Sequence, residues 1–515
     1  MTVEASAATP RPRSRFDAAR ALTAAAAAAQ KRWADVPLKR RLAVIRRFRQ
    51  RLAAAPLALA ELIGRRGPGE TIASEIWPLL EASRFLERRA ARVLAARRPT
   101  SRGIPLPGRA RLTVIREPYG VVLIIGPGNY GLMLPGVQAL QALAAGNAAI
   151  IKPAPGAADA LAELARALHA SGLPDGLLSI ADESAETARA LLESRIDRVV
   201  FTGSSTVGRE VLARAAARLV PAALELSGWD ACIVLDDANL DRVADAFVFA
   251  LRTNRGETCV APRRVLVAAG RCAELEARLR ARLLEEREQA FDGPLAARAA
   301  TLIGDAVATG AYLVAGRSDT ARVAGPIVLA GVTSDMPIFS TEVFAPLILI
   351  SAVDDVDEAV ALANRGDFAL GASVFGSLRR ARAIAPRLNA GLVTINDVVA
   401  PLADAEVPLA ARRASGFGVT RGADGLLAMT RPKAITEPRS RFAPHHTLRA
   451  DAFGDALAAL SAVVHGAPRA KLRALVSLLG TRRTIGRDVI GRRGPHREPR
   501  ATTARSDPGT PTEHS

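Results

Sequence analysis

The stretch Val121-Val-Leu-Ile-Ile125-Gly126-Pro127-Gly128-Asn129-Tyr130 decides how the chain folds. Five consecutive apolar residues leave no polar face, so the run suits a strand buried on both sides, as in a parallel sheet. The Gly-Pro-Gly turn ends it, and the spacing behind it predicts a helix from about Leu132 to Ala145. A second buried strand, Ala148-Ala-Ile-Ile-Lys152, is cut off by Pro153 and Pro155. Helix 157–170, strand 177–181, helix 184–193 and strand Arg198-Val-Val-Phe201 continue the alternation. That order predicts an α/β fold, a parallel sheet with helices on both faces. Such sheets bind ligands beyond the carboxyl ends of their strands. Asn129, Lys152 and Thr202-Gly203-Ser204 fall at that edge. The turn Gly203-Ser-Ser-Thr-Val-Gly208 lacks the GxGxxG spacing. It still places small residues and a helix N-terminus where a phosphate docks on backbone N–H groups. Such turns are common, so cofactor binding and a plain strand-to-helix connection both stand.

Upstream, residues 17–100 read as helices. Trp33, Leu38, Leu42, Ile45, Phe48 and Leu52 recur three to five apart and predict one apolar stripe, with arginines on the solvated face. At 101–118 the pattern stops. Gly103, Pro105, Pro107 and Gly108 break helix, and Ala110-Arg-Leu-Thr-Val-Ile115 extends as a strand or hairpin, an arm apart from the main domain.

Downstream, Glu225 sits in Ala222-Ala-Leu-Glu225-Leu-Ser-Gly228, an apolar strand-like segment where an unpaired carboxylate is costly. Buried, it would have a raised pKa and serve as a base near neutral pH; turned to solvent or paired with an arginine, it would not. The stretch Gly256-Glu-Thr-Cys259-Val-Ala-Pro-Arg-Arg264 holds the one cysteine of three set among small and polar residues behind a glycine; the others are Cys232 and Cys272. A nucleophilic thiol needs such room and nearby backbone donors, whereas an inert buried thiol needs neither. Further strands are expected at 231–235, 264–267, 347–350, 370–375 and 392–395, with a last one near 428–434. Helices are expected at 239–251, 356–364 and 377–389, and a charged helix and loop over 273–300.

Composition limits the function. The 515 residues suffice for two or three domains, and 49% hydrophobic content excludes a disordered chain. No apolar run approaches the ~20 residues of a membrane span, and the N-terminus has no apolar core like a secretory signal's, so no stable membrane insertion is expected. Three cysteines make no disulfide framework, which points to a reducing compartment, the cytoplasm. Six histidines offer no metal cluster. The net charge of +19 is concentrated at the ends, with +16 in residues 1–120 and +7 in 437–515. No finger, helix-turn-helix or aromatic-interleaved basic motif accompanies it, so no nucleic-acid partner is expected. Only five of the 70 basic residues are lysine, and the arginine is matched by alanine throughout. From 437 the composition shifts: 448–480 predicts basic amphipathic helices packed on their own domain, and 491–515 disorder.

Taken together, the motifs resemble the aldehyde dehydrogenase superfamily across about residues 20–436. The resemblance rests on Pro127-Gly-Asn129-Tyr, Lys152-Pro, Phe201-Thr-Gly-Ser204 through Gly208, Leu224-Glu225-Leu-Ser-Gly228, Gly256-Glu-Thr-Cys259, Glu342-Val-Phe344-Ala-Pro346 and Ser415-Gly-Phe-Gly418, in that order. The 34-position interval from Glu225 to Cys259 is also similar to the family's. The resemblance implies NAD(P)-dependent oxidation of a small-molecule aldehyde to a carboxylic acid, with NAD or NADP as cofactor. Cys259 would attack the carbonyl, Asn129 and the Cys259 N–H would hold the oxyanion, and Glu225 would activate the water that hydrolyses the thioester. Lys152 would contact the adenosine ribose and Gly203 and Ser204 the pyrophosphate, with Val207 a further cofactor contact. Glu342 would hold the nicotinamide ribose, with Phe344 beside it. The fold implied is a Rossmann-like cofactor domain (1–100 and 119–226), an α/β catalytic domain (227–403) and a β oligomerisation arm (101–118 and 404–436). The basic extension 437–515 lies outside it. The arm implies a homodimer or a dimer of dimers.

Several positions depart from the family pattern. Gly128 stands where an aromatic residue is common, Gly131 where a proline is, and Ser227 where a glycine is. Pro155 replaces an acid often found three residues after the lysine, which would bind the ribose 2′-hydroxyl, so NADP stays open. The 83 positions from Cys259 to Glu342 are few for the family and imply a trimmed catalytic domain. A coenzyme A-acylating enzyme and a non-catalytic scaffold are the alternatives. Glu225 argues against the first, and the retained Asn129, Cys259, Glu225 and Glu342 against the second. No single arginine among the 65 can be nominated as a substrate anchor.

Overall fold

A computed structural model describes residues 14–99, 110–284, 286, 289–291, 293–318, 323–438 and 454–475. The expected break at Gly103–Gly108 and the expected disorder of 491–515 lie outside these residues.

The larger of two units comprises Met1–Arg97 and Val114–Lys433. It begins with helices Arg15–Ala34, Leu38–Ala54, Pro56–Ile63 and Pro68–Thr71, then a π-helical turn, Ile72–Ile76, that runs into Trp77–Val93. The stripe expected from Trp33 to Leu52 is split between two helices. Asp35 caps the first, and Pro37, which has no N–H to donate, starts the second. Trp33 reaches inward, its indole N–H donating to Leu143 O at 2.9 Å.

Strand β1 (Ala110–Pro118) precedes the first sheet, whose strands β2 (Val121–Ile125), β3 (Ala148–Lys152), β4 (Leu178–Ile180), β5 (Arg198–Thr202) and β6 (Ala222–Glu225) alternate with helices Met133–Ala145, Ala158–His169, Ala185–Leu192 and Ser205–Ala217. They lie parallel in the order β6-β5-β2-β3-β4. Every residue of β2, β3 and β5 is buried, which is why their sequences show no polar alternation.

The second sheet follows: β7 (Asp230–Val234), β8 (Pro262–Ala268), β9 (Gln289–Phe291), β10 (Tyr312–Ser318), β11 (Val323–Ala330), β12 (Leu347–Val353), β13 (Gly371–Phe375) and β14 (Leu392–Ile395). Its order is β10-β11-β12-β8-β7-β13-β14, with β9 also on β11. The interval 273–300 holds two helices, Cys272–Leu283 and Gly293–Ala308, with β9 between them, rather than one helix and a loop. Strands β10 and β11 escaped the sequence reading. Gly325 and Pro326 interrupt β11's apolar run at the point where it passes from β9 (Val323–Gly325) to β12 (from Ile327) as partner.

Of residues 404–436, expected in the arm, most belong elsewhere. Strands β15 (Leu409–Ala410) and β17 (Val419–Thr420) pair, and β16 (Gly416–Phe417) joins the first sheet antiparallel to β6. Helix Gly422–Ala428 carries Leu426 into the first core. Only β18 (Thr430–Pro438) pairs with β1 in a two-stranded sheet. The smaller unit comprises Arg98–Thr113 and Ala434–Ser515, with a described helix at Gly454–His465. Among the described residues no helix is long and apolar enough to cross a membrane, and no group of His, Cys, Asp and Glu could hold a metal ion.

Candidate active site

Strands β6, β5, β2 and β3 are neighbours, so Glu225, Thr202–Ser204, Gly126–Asn129 and Lys152 line one edge of the first sheet. Strand addition reverses direction between β2 and β5, where parallel sheets open a crevice at their carboxyl ends. The edge read from the sequence is therefore contiguous in space.

Glu225 and Cys259 share one cavity of about 180 Å3. Its walls are mostly apolar, with Pro78, Met133, Leu134, Val260, Leu402 and Leu409 among them. Glu225 is 2% exposed. Its Oε2 accepts from the Thr420 hydroxyl at 2.9 Å, while Oε1 is buried without a partner. Burial pushes its pKa up; the Thr420 hydrogen bond and the nearby Arg421 guanidinium act against that. Of the two readings left open for Glu225, the buried carboxyl holds.

Cys259 is half-buried on the connection between helix Leu240–Arg252 and β8. Burial pushes its thiol pKa up, and Glu225 and Asp230 push it further. The connection before it is unusual. Asn254, Arg255 and Gly256 all have positive φ, at 50°, 57° and 71°. A Cβ on Gly256 would lie 2.4 Å from Pro346 Cα, so only glycine fits. Buried Arg263 holds this turn, its guanidinium donating to the carbonyls of Gly256 and Ala345.

Asn129 is tied to the same turn. Its Nδ2 donates to Glu257 O at 3.0 Å, and the Asn254 amide bridges Asn129 O (3.0 Å) and Glu257 O (2.9 Å). One Asn129 N–H remains for a ligand. Tyr130 OH meets Thr258 Oγ1 at 2.7 Å, and burial pushes its phenol up to about 12. Behind them, Arg66 pairs with Glu75, both 1% exposed. Glu75 Oε2 accepts from the N–H groups of Leu132 and Met133 at 2.9 Å, capping helix Met133–Ala145.

The expected cofactor residues lie apart from that cavity. Lys152 is 8% exposed, its pKa lowered by burial; Asp182 and Glu183 oppose the shift without an ion pair to it. Ser204 caps helix Ser205–Ala217, its Oγ accepting from Val207 N, and the Val207 side chain is exposed. At Gly203 a Cβ would lie 2.7 Å from the Phe201 ring. Glu342 is half-buried beside Ser227 and has a raised pKa, chiefly from burial. Phe344 is also half-buried, two residues on.

Sequence reading missed Thr420, Arg421, Asn254, Arg263 and the Arg66–Glu75 pair. Asn254 had a faint signal, a polar residue five positions before Cys259. Arg263 lies four positions after Cys259, but nothing there sets it apart from Arg264; the others are distant in sequence and carry no signal.

Comparisons with known proteins agree with this fold. A family model described as the aldehyde dehydrogenase family matches residues 4–435. A Methylomonas sp. protein named 4,4'-diapolycopene aldehyde oxidase is 31% identical over 423 residues, 79% of each chain. A Mycolicibacterium smegmatis protein, provisionally named a succinate-semialdehyde dehydrogenase [NADP(+)], is 33% identical over 81% of this chain and 84% of its own. Among solved structures, a Mycobacterium tuberculosis aldehyde dehydrogenase complexed with NAD+ superposes with a TM-score of 0.75 at 29% identity, covering 84% of this chain and 92% of its own. One from Brucella melitensis biovar abortus 2308 gives 0.74 at 27% identity, over 83% and 90%.

Proposed function

Because this chain belongs to the aldehyde dehydrogenase family, we propose that Cys259 is the nucleophile of its NAD(P)-dependent aldehyde oxidation and Glu225 the base that frees the acid product. The observation that carries the roles is the shared cavity. One Glu225 oxygen is held by Thr420, and the other is buried without a partner.

The sheet edge suits a dinucleotide. Lys152 offers a buried ammonium with no ion pair among the described residues. The Gly203–Ser204 turn presents the N-terminus of a 13-residue helix to a pyrophosphate. Exposed Val207 offers an apolar contact beside it, and Glu342 and Phe344 would flank the nicotinamide ribose. The cofactor, when bound, supplies the hydride acceptor. Relatives named for NADP(+) and a neighbour holding NAD+ leave both cofactors in play.

The Cys259 thiol must lose its proton before its sulfur attacks the carbonyl carbon. The free Asn129 N–H and the Cys259 backbone N–H would take the developing oxyanion, each such donor typically worth ~10²–10³ in rate. After hydride loss Cys259 holds a thioester. Glu225 then takes a proton from water, whose oxygen adds to the thioester carbon and expels the sulfur. A buried base beside the thioester favours hydrolysis over transfer to coenzyme A.

Residues 1–100 and 119–226 would hold the cofactor and 227–403 the catalytic thiol, in a homodimer or dimer of dimers in the cytoplasm. The arm shrinks to the β1–β18 pair, with 437–515 as an extension. The test is reduced-cofactor formation over an aldehyde panel. Cys259→Ala should abolish turnover with cofactor affinity retained, and near-wild-type activity would end the assignment. Glu225→Gln should give the first burst and then stall; loss of the burst would place Glu225 before hydride transfer.

A further inference from the structure

One charge on the cavity wall has no use in this mechanism. Arg421 lines the cavity with Cys259 and Glu225, and it is 5% exposed. Its backbone has φ of 69°, where a side chain is strained, and it starts helix Gly422–Ala428. Its Nη2 donates to Leu402 O, a neutral carbonyl. Among the described residues no carboxylate lies within ion-pairing distance of it.

Buried guanidinium groups stay charged, and a buried charge is costly unless an anion and hydrogen bonds compensate it. The candidate internal anions are poorly placed. Glu225 commits one oxygen to Thr420 and is held toward its neutral form by burial. Asp404 is exposed to solvent. Glu70, at the exposed rim, already accepts from Asn254 N at 2.7 Å. The remaining walls are mostly apolar. A carboxylate meets a guanidinium through two parallel N–H···O bonds, and the apolar walls suit a short hydrocarbon chain.

We propose that Arg421 is a substrate-specificity residue, and that the aldehyde oxidised here carries a carboxylate at the far end of a short apolar chain. The inference rests on the assignment of Cys259 as the nucleophile in this cavity.

The test compares short ω-oxo acids with their methyl esters, in wild type, Arg421→Met and Arg421→Lys. Wild type should favour the acids. In Arg421→Met the acid-to-ester ratio of kcat/KM should fall roughly 10²-fold, the usual worth of a charged hydrogen bond pair. Arg421→Lys should recover part of it, since an ammonium restores charge but not the two-bond geometry. Alkylation of Cys259, read by mass on its peptide, gives a second readout without turnover. The iodoacetate-to-iodoacetamide rate ratio should drop in Arg421→Met. Loss of a buried charge with no anion partner should not lower Tm; if it does, Arg421→Lys carries the comparison.

An unchanged ratio in both assays would overturn the anchor. So would acids and esters falling alike while both reagents slow equally, which would assign Arg421 to the charges of Cys259 and Glu225. Wild type that oxidises esters but not acids refutes the anchor alone. Wild type that oxidises no aldehyde refutes the underlying assignment as well.

Discussion

Replacing Thr420 with valine tests whether Glu225 works as a buried base. Burial raises the Glu225 pKa, and the Thr420 hydroxyl at 2.9 Å is the largest influence holding it down. The hydroxyl donates to the carboxylate and so favours the ionised form. Hydrogen bonds to charged groups are worth about 1.5–3 kcal/mol. Thr420→Val should therefore raise the Glu225 pKa further, and every ~1.36 kcal/mol lost is a factor of ten in the ionised fraction. Below the wild-type folded pKa the ionised, water-activating fraction falls by roughly 10–100-fold, and the loss shrinks as pH rises through the higher pKa of the variant. Stopped-flow detection of reduced cofactor separates the burst from steady turnover. The variant should show a burst followed by slow turnover at neutral pH that recovers on the alkaline side. Thr420→Ser keeps a hydroxyl and should behave close to wild type. A kcat–pH profile that does not move, or burst and steady rate falling together at every pH, would refute the assignment.

Glu225→Gln should raise thermal stability at neutral and alkaline pH. The folded pKa lies above the unfolded one, so as pH passes the ordinary carboxylate range the unfolded state releases its proton first. The fold loses stability until the folded pKa is passed, a loss glutamine lacks. Scanning calorimetry from acid to alkaline pH should show the two Tm curves meet in acid and diverge above it; a variant less stable throughout would contradict the buried carboxyl. Gly256→Ala places a Cβ against Pro346 at a φ of 71°, and should cost roughly 1–3 kcal/mol from the backbone alone, with loss of activity. A denaturant midpoint equal to wild type would count against the tight turn. Arg66→Met leaves Glu75 buried without its cation and should cost about 3–5 kcal/mol by chemical denaturation. A loss below about 1 kcal/mol would mean that the helix N–H groups suffice to hold Glu75.

The first sheet was legible because its chemistry is local. Val121–Ile125 and Ala148–Lys152 are apolar throughout, glycine and proline end them, and helices follow, so strand type and sheet edge are written in neighbouring residues. The order of Asn129, Lys152, Ser204, Glu225, Cys259 and Glu342 was legible for the same reason, since each sits in a short motif. What the sequence left open is burial and pairing across distance. Thr420 reaches Glu225 across 195 positions, and the cavity joins Glu70 to Arg421. Arginine is so abundant here that residue type says nothing about which guanidinium is buried. That depends on the side chains stacked around it and on whether a carboxylate falls within reach, and both are properties of the packed structure alone. The same reason moved residues 404–429 out of the expected arm. Their short strands carry weak local signals, and long-range partners decide where they lie: β6 for β16, and β15 and β17 for each other.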